Sequence, residues 1–223
     1  MPVRLLKEFE KLKASILALG VEVERQLRLA VQSIETRDPH LARQVIDGDA
    51  RIDEMEVDLE EDCLKALALY QPVAHDLRFL VSVLKMNNDL ERIGDLAVNI
   101  AKRALPLAET PPMAMPFDFQ TICEKTEEML RNSLEAMVRF DTDLAYGVLE
   151  ADDTVDDINR KIYRFVEEEV LKTPQNITYF IHLMGIYRQL ERIADHATNI
   201  AEDVIYLAKG EIIRHREIPS PHR

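Results

Sequence analysis

Apolar side chains in the first stretch of the chain fall at Leu5, Phe9, Leu12, Ile16, Leu19, Val23, Leu27 and Ile34. Most steps are three or four residues, the period of one helix face rather than the alternation of a strand. The stretch ends near Arg37. Asp38 and Pro39 then supply an N-cap and a first helical residue for a second helix, running to about Tyr70. Pro72 marks the next start, and a third helix to about Leu105 carries its seam at Leu77, Val81, Leu84, Ile93, Ala97 and Ile100. Pro106, Pro111, Pro112 and Pro116 interrupt the pattern, because proline removes a backbone donor and blocks the preceding turn. The helical period then resumes. A fourth helix is expected from about Phe117 to Phe140, and a fifth after Asp141 to about Lys172. A sixth runs from Thr173-Pro174 to Gly210, a C-terminal cap. The tail from Ile218 onward, with Pro219, Ser220 and Pro221, is expected to be disordered.

The restart is a repeat. Leu90-Glu91-Arg92-Ile93-Gly94-Asp95-Leu96-Ala97-Val98-Asn99-Ile100-Ala101 matches the twelve residues from Leu190 to Ala201 at nine positions, with an offset of 100. A weaker match aligns Val45 to Glu54 with Val148 to Asp157, offset by 103. Two copies of a three-helix unit therefore account for the chain. The predicted fold is all-α, with two tandem three-helix bundle repeats made of long up-down hairpins. The expected division is a first unit over 1–107, a Pro-rich linker over 108–116, a second unit over 117–213 and a disordered tail over 214–223.

Composition agrees with helices. Of 223 residues, 47% are hydrophobic and 31% charged, with 6 Gly and no Trp. This provides a core without the turn residues that a strand-rich fold requires. The net charge is −13, from 28 basic and 41 acidic residues. That balance repels phosphate backbones and anionic lipid, so nucleic acid is not an expected partner. No apolar run approaches the length needed to span a bilayer, and no direct membrane insertion is expected. Cys63 and Cys123 stand apart on helical stretches, which suits buried free thiols rather than a zinc site. Two cysteines without a secretory leader suggest a reducing, cytoplasmic setting.

The chemistry lies in the carboxylates. Glu91 and Asp95 are four residues apart and share a helix face, as do Asp49 and Asp53 one helix earlier. With a hairpin turn near Gln71, Asp53 lies level with Asp89, and Asp49 level with Ile93. The two acidic pairs thus coincide in height. With the second turn near Thr173, Asp156 lies level with Leu190 and Asp152 with Ala194, so Glu191 and Asp195 meet Asp152 and Asp156 in the same way. Such grouping has two readings. One is a solvated acidic face, with Arg92 and Arg192 forming ion pairs. The other is a site for a hard multivalent cation with oxygen ligands. His196, in place of Leu96, reads as a core-edge residue.

The doubled Leu-Glu-Arg-Ile-x-Asp-x-x-x-Asn-Ile-Ala resembles the signature of the PhoU family, and Pro72-Val73-Ala74-His75-Asp76-Leu77-Arg78 resembles the start of that family's third helix. The resemblance covers nearly the whole chain. It implies a cytoplasmic adaptor, commonly a homodimer and not an enzyme. Such an adaptor dampens phosphate uptake through an ABC transporter, partnering its ATPase, and helps hold a sensor histidine kinase inactive when phosphate is plentiful. It also implies multinuclear metal clusters on acidic motifs, here Glu91/Asp95 and Glu191/Asp195. Iron is the first expectation, with manganese, magnesium or calcium as alternatives. Adding Asp49, Asp53, Asp152 and Asp156 to the ligand set comes from the hairpin register. The second copy departs from the first in two places. Pro174 to Phe180 lacks the Asp-Leu-Arg, and Arg188-Gln189 replaces Asn88-Asp89, which points to a weaker or differently shaped second metal site.

Two other functions compete with this one. A di-iron carboxylate oxidase needs Glu three residues before His. Those positions hold Arg37, Pro72, Tyr179, Ile193, Ile212 and Pro219, none of them Glu. No Gly-rich phosphate loop and no nucleophile-base set is present either. A metal-free helical interaction scaffold shares the fold and stays open.

Overall fold

The computed structural model describes residues 3–111, 113, 115–116 and 118–213. Six long helices build it: α1 (Val3–Glu35), α2 (Pro39–Tyr70), α3 (His75–Glu109), α4 (Phe119–Arg139), α5 (Thr142–Lys172) and α6 (Ile177–Lys209). Among the described residues there is no strand. The expected disordered tail over 214–223 and the expected fourth-helix start at Phe117 lie outside the described residues.

Local chemistry sets several helix ends. The Asp38 carboxylate accepts from the His40 N–H at 2.8 Å, and Pro39 fills the first helical position. Asp141 accepts from the N–H groups of Asp143 and Leu144, both at 3.0 Å. These bonds satisfy donors that have no partner inside the helix. At the other ends, Gln71 and Phe140 take left-handed backbone conformations, and so does Gly210.

Three starts and stops differ from the sequence reading. The third helix begins at His75 rather than Pro72, because the chain first turns through Ala74 at φ 49. Pro106 lies inside α3, which continues to Glu109. A proline near a helix C-terminus forfeits only one of the last intrahelical bonds. Here Arg37, at the end of α1, donates to the carbonyls of Leu107 and Thr110 and holds the last turn in place. Before α6, Pro174–Asn176 forms a single 3-10 turn, so the α-helix starts at Ile177.

Helices α1 to α3 form one unit and α4 to α6 the other. Helices α3 and α6 pack along each other between the units, and α1 also meets α4. The core is continuous. Leu12, Ile16, Leu19, Val23 and Leu27 of α1 are buried, as are Leu90, Ile93, Ile100, Leu190, Ile193 and Ile200 of the central helices. Gly94 lets α3 approach α2, since a Cβ there would lie 3.0 Å from Cδ1 of Ile52. The second repeat has Ala194 for Gly94 and Val155 for Ile52, moving one methyl's worth of volume from one helix to the other.

Candidate functional site: two facing carboxylate patches

The α2/α3 hairpin brings the two acidic pairs of the first unit onto one face. The half-buried Asp49 carboxyl has its pKa raised by burial, then by the charges of Asp53 on its own helix and Asp95 across the hairpin, with Lys102 opposing. The Glu91 pKa is raised by burial and by Asp95, while Arg92 opposes and Asp53 and Glu56 add to the rise. Both pairs therefore sense each other's charge, as their common height predicts. Glu56, one turn further along α2, is also raised, mainly by burial. Asn87 donates to its carbonyl at 2.9 Å and to its carboxylate at 3.2 Å.

The α5/α6 hairpin repeats the arrangement, with Arg188, Arg192 and His196 as the opposing cations. Asp152 is pushed up to about 7 by burial, then by Asp195, Asp156, Asp153 and Glu191. Glu191 is raised by burial, Asp195 and Asp156, against Arg188 and Arg192. Asp195 is raised by burial and Asp156, against His196 and Arg192. All eight predicted residues thus lie in two patches of four.

Arg92 does not reach a neighbouring helix. It pairs with Glu91 and Asp95 on its own, each at 3.5 Å, and is exposed enough that these bonds contribute little.

A multivalent cation is the group that this chemistry would accept. The donors are all carboxylate oxygens, which suit hard ions. Their mutual repulsion, strongest at Asp152, is what a cation would relieve. Ligand geometry is another matter. Among the described residues, no three His, Cys, Asp or Glu side chains converge as a metal site.

Sequence reasoning missed the seam between the units. His196 is half-buried, with Nδ1 2.7 Å from Oδ1 of Asp89, which also accepts from Asn199 at 3.2 Å. Lys85 reaches the buried Asp203 at 3.1 Å. A cleft of about 630 Å³ opens beside these groups, between Leu84, Lys85, Asp89 and Asn199. The available signal was mismatch between the repeats, since Asp89 aligns with Gln189 and His196 with Leu96.

An all-helical chain of two tandem three-helix units, each presenting one acidic hairpin face, defines the class of protein. The family description "PhoU domain" matches twice, over residues 16–104 and 119–204. The phosphate-specific transport system accessory protein PhoU homolog of Aquifex aeolicus is 41% identical over 216 residues, covering 97% of this chain and 98% of that protein. PhoU homolog 1 of Thermotoga maritima is 34% identical, covering 92% of this chain and 89% of its own. The crystal structure of PhoU from Pseudomonas aeruginosa superposes with a TM-score of 0.89 at 38% identity, over 92% of this chain and 99% of that one. The chain belongs to the PhoU family. Its relatives are accessory proteins of phosphate transport. Among the described residues, no helix is long and apolar enough to cross a membrane.

Proposed function

We propose that this chain is a cytoplasmic negative regulator of phosphate uptake and of phosphate-starvation signalling. It acts as a homodimeric adaptor between a phosphate ABC transporter ATPase and its sensor histidine kinase. Its acidic patches take multivalent cations. The observation that carries the reading is the doubled patch, Asp49, Asp53, Glu91 and Asp95 in one unit and Asp152, Asp156, Glu191 and Asp195 in the other, on the fold of a phosphate transport accessory family.

The residues have separable parts in this scheme. The carboxylates hold the cation, with iron the first candidate and manganese, magnesium or calcium the alternatives. Burial beside α3 and α6 raises the cost of leaving them unneutralised. A bound cation ties α2 to α3 and α5 to α6, stiffening each hairpin. No catalytic step is needed.

The test is elemental analysis of the purified chain beside a variant with Glu91, Asp95, Glu191 and Asp195 changed to Ala. More than one metal ion per chain, lost in the variant at unchanged helical circular dichroism, is expected. Equal and negligible metal in both would leave the patches as solvated faces and favour the metal-free scaffold. Pull-down of the transporter ATPase and the kinase, with and without chelator, tests the adaptor role.

A further inference from the structure

The seam between the units is nearly two-fold. Helices α3 and α6 run antiparallel, so that position 85 meets position 203 and position 103 meets position 185. The repeat offset of 100 relates these pairs to each other, with Lys85 corresponding to Gly185 and Asp203 to Arg103.

At one end of the seam the pair is closed. Lys85 donates to Asp203 at 3.1 Å, and its ammonium lies 5.5 Å from the ring centre of Tyr206. At the other end the lysine has become glycine and the aspartate has become arginine. The Arg103 guanidinium occupies the space this opens. A Cβ at Gly185 would come within 2.2 Å of Cζ and 2.4 Å of Nη1. Among the described residues, no hydrogen bond or ion pair engages that guanidinium. In a chain with 41 acidic residues, a half-buried arginine without a carboxylate is an unusual outcome.

His182 stands one turn before Gly185 on α6, close enough to feel the Arg103 charge. Its Nδ1 is buried and has no hydrogen-bond partner. Burial and then Arg103 hold its pKa below the usual histidine value, which keeps the ring neutral near neutral pH. A buried polar nitrogen without a partner is costly.

We propose that Arg103, its guanidinium seated on Gly185, and His182 bind a tetrahedral oxyanion, inorganic phosphate, between the two units. The anion supplies the negative charge that Asp203 supplies at the opposite end of the seam. The planar guanidinium donates two parallel N–H groups to phosphate oxygens. Once the half-buried ring turns its partnerless Nδ1 toward the anion, the neutral imidazole accepts the P–O–H proton that phosphate carries near neutral pH and sulfate lacks. This deepens the reading above by placing phosphate on the chain itself. The two are tested separately, because binding is measured without transporter, kinase or metal.

The experiment titrates inorganic phosphate into the full chain with chelator present, followed by calorimetry and by the Arg103 Nε–Hε signal in NMR. Saturable binding that shifts this signal is expected, with sulfate weaker. Arg103→Gln removes the fork, and Gly185→Ala pushes the guanidinium aside. Each should weaken binding roughly ten- to hundred-fold, the scale of a charge-assisted hydrogen bond, while keeping the helical circular dichroism. Lys85→Gln, at the other end of the seam, should bind as the parent does. Absence of saturable binding overturns the site, as does binding that both Arg103→Gln and Gly185→Ala leave intact. Equal affinity for sulfate overturns the selectivity for phosphate.

Discussion

Gly94 sits where α3 crosses α2 beside the first acidic patch, and replacing it with Ala sets two opposed effects against each other. Alanine favours the helix by about 1 kcal/mol over glycine. The added Cβ would lie 3.0 Å from Cδ1 and 3.2 Å from Cγ2 of Ile52, whose side chain is buried and has little room to retreat. Overpacking of that kind costs about 1–3 kcal/mol. The balance is a net loss of roughly 0–2 kcal/mol. Ile52→Val alone removes a buried methyl and costs about 0.5–1.5 kcal/mol. Combined, the two changes should cost less than their sum by about 1 kcal/mol, because valine withdraws the nearest clashing atom and leaves only the 3.2 Å contact. The double variant recreates the Ala194 and Val155 combination already present in the second repeat. The assay is urea denaturation of the parent, both single variants and the double variant, comparing midpoints at constant m-value. Costs that add to within about 0.3 kcal/mol would refute the reasoning, since the size exchange between the repeats would then not be compensation.

Four further outcomes follow from other parts of the structure. Asp141→Ala removes the acceptor for two N–H groups at the start of α5 and should cost about 1 kcal/mol by denaturation, whereas Asp141→Asn should cost much less. Glu127, on α4 against α1, has its pKa raised by burial, with Glu24 and Glu35 adding to the rise and Arg28 and Arg131 opposing. Its folded-state pKa therefore lies above the unfolded value near 4.5, so its contribution to stability falls as pH rises from there through the folded pKa, and Glu127→Gln should be the more stable protein near pH ~7, with the gain vanishing in acid. Cys63, with its thiol pushed up to about 12 by burial and then by Asp62 and Glu60, should react with thiol reagents only as fast as the protein opens, as should the buried Cys123. Gly210→Ala forces a side chain onto a left-handed residue at the end of α6, and a melting temperature a few degrees below the parent's is expected.

What the sequence revealed and what it concealed divide along a physical line. The helices were legible because the seam from Leu5 to Leu27 repeats at helical period and each position is buried as that period requires. The caps at Asp38 and Asp141 were legible because they use bonds between residues two or three apart. The facing carboxylates were legible because a hairpin turn fixes register, and register alone puts Asp49 and Asp95 at one height. The end of α3 was not legible, because Pro106 is tolerated through carbonyl bonds made by Arg37, 70 and more residues away. The seam was not legible either. The pairs Asp89 with His196 and Lys85 with Asp203 span 107 and 118 residues, and they depend on how two finished units dock. No periodicity encodes that docking.

The same division separates the two ligands this chain is proposed to take. Each acidic patch belongs to one hairpin, so a cation there acts within a unit and both copies retain the needed residues. The seam belongs to both units, and there the copies have diverged, with Lys85 set against Gly185 and Asp203 against Arg103. An anion held by Arg103 and His182 would join α3 to α6 and act on how the units sit together. The two sites meet on α3, where Lys102 opposes the raised pKa of Asp49 and its neighbour Arg103 lies on Gly185. A shared rigid helix makes coupling between cation and anion reciprocal: whatever factor metal imposes on phosphate affinity, phosphate must impose on metal affinity. Duplication followed by divergence at the seam would thus give one fold two inputs, with α3 as the element that carries both.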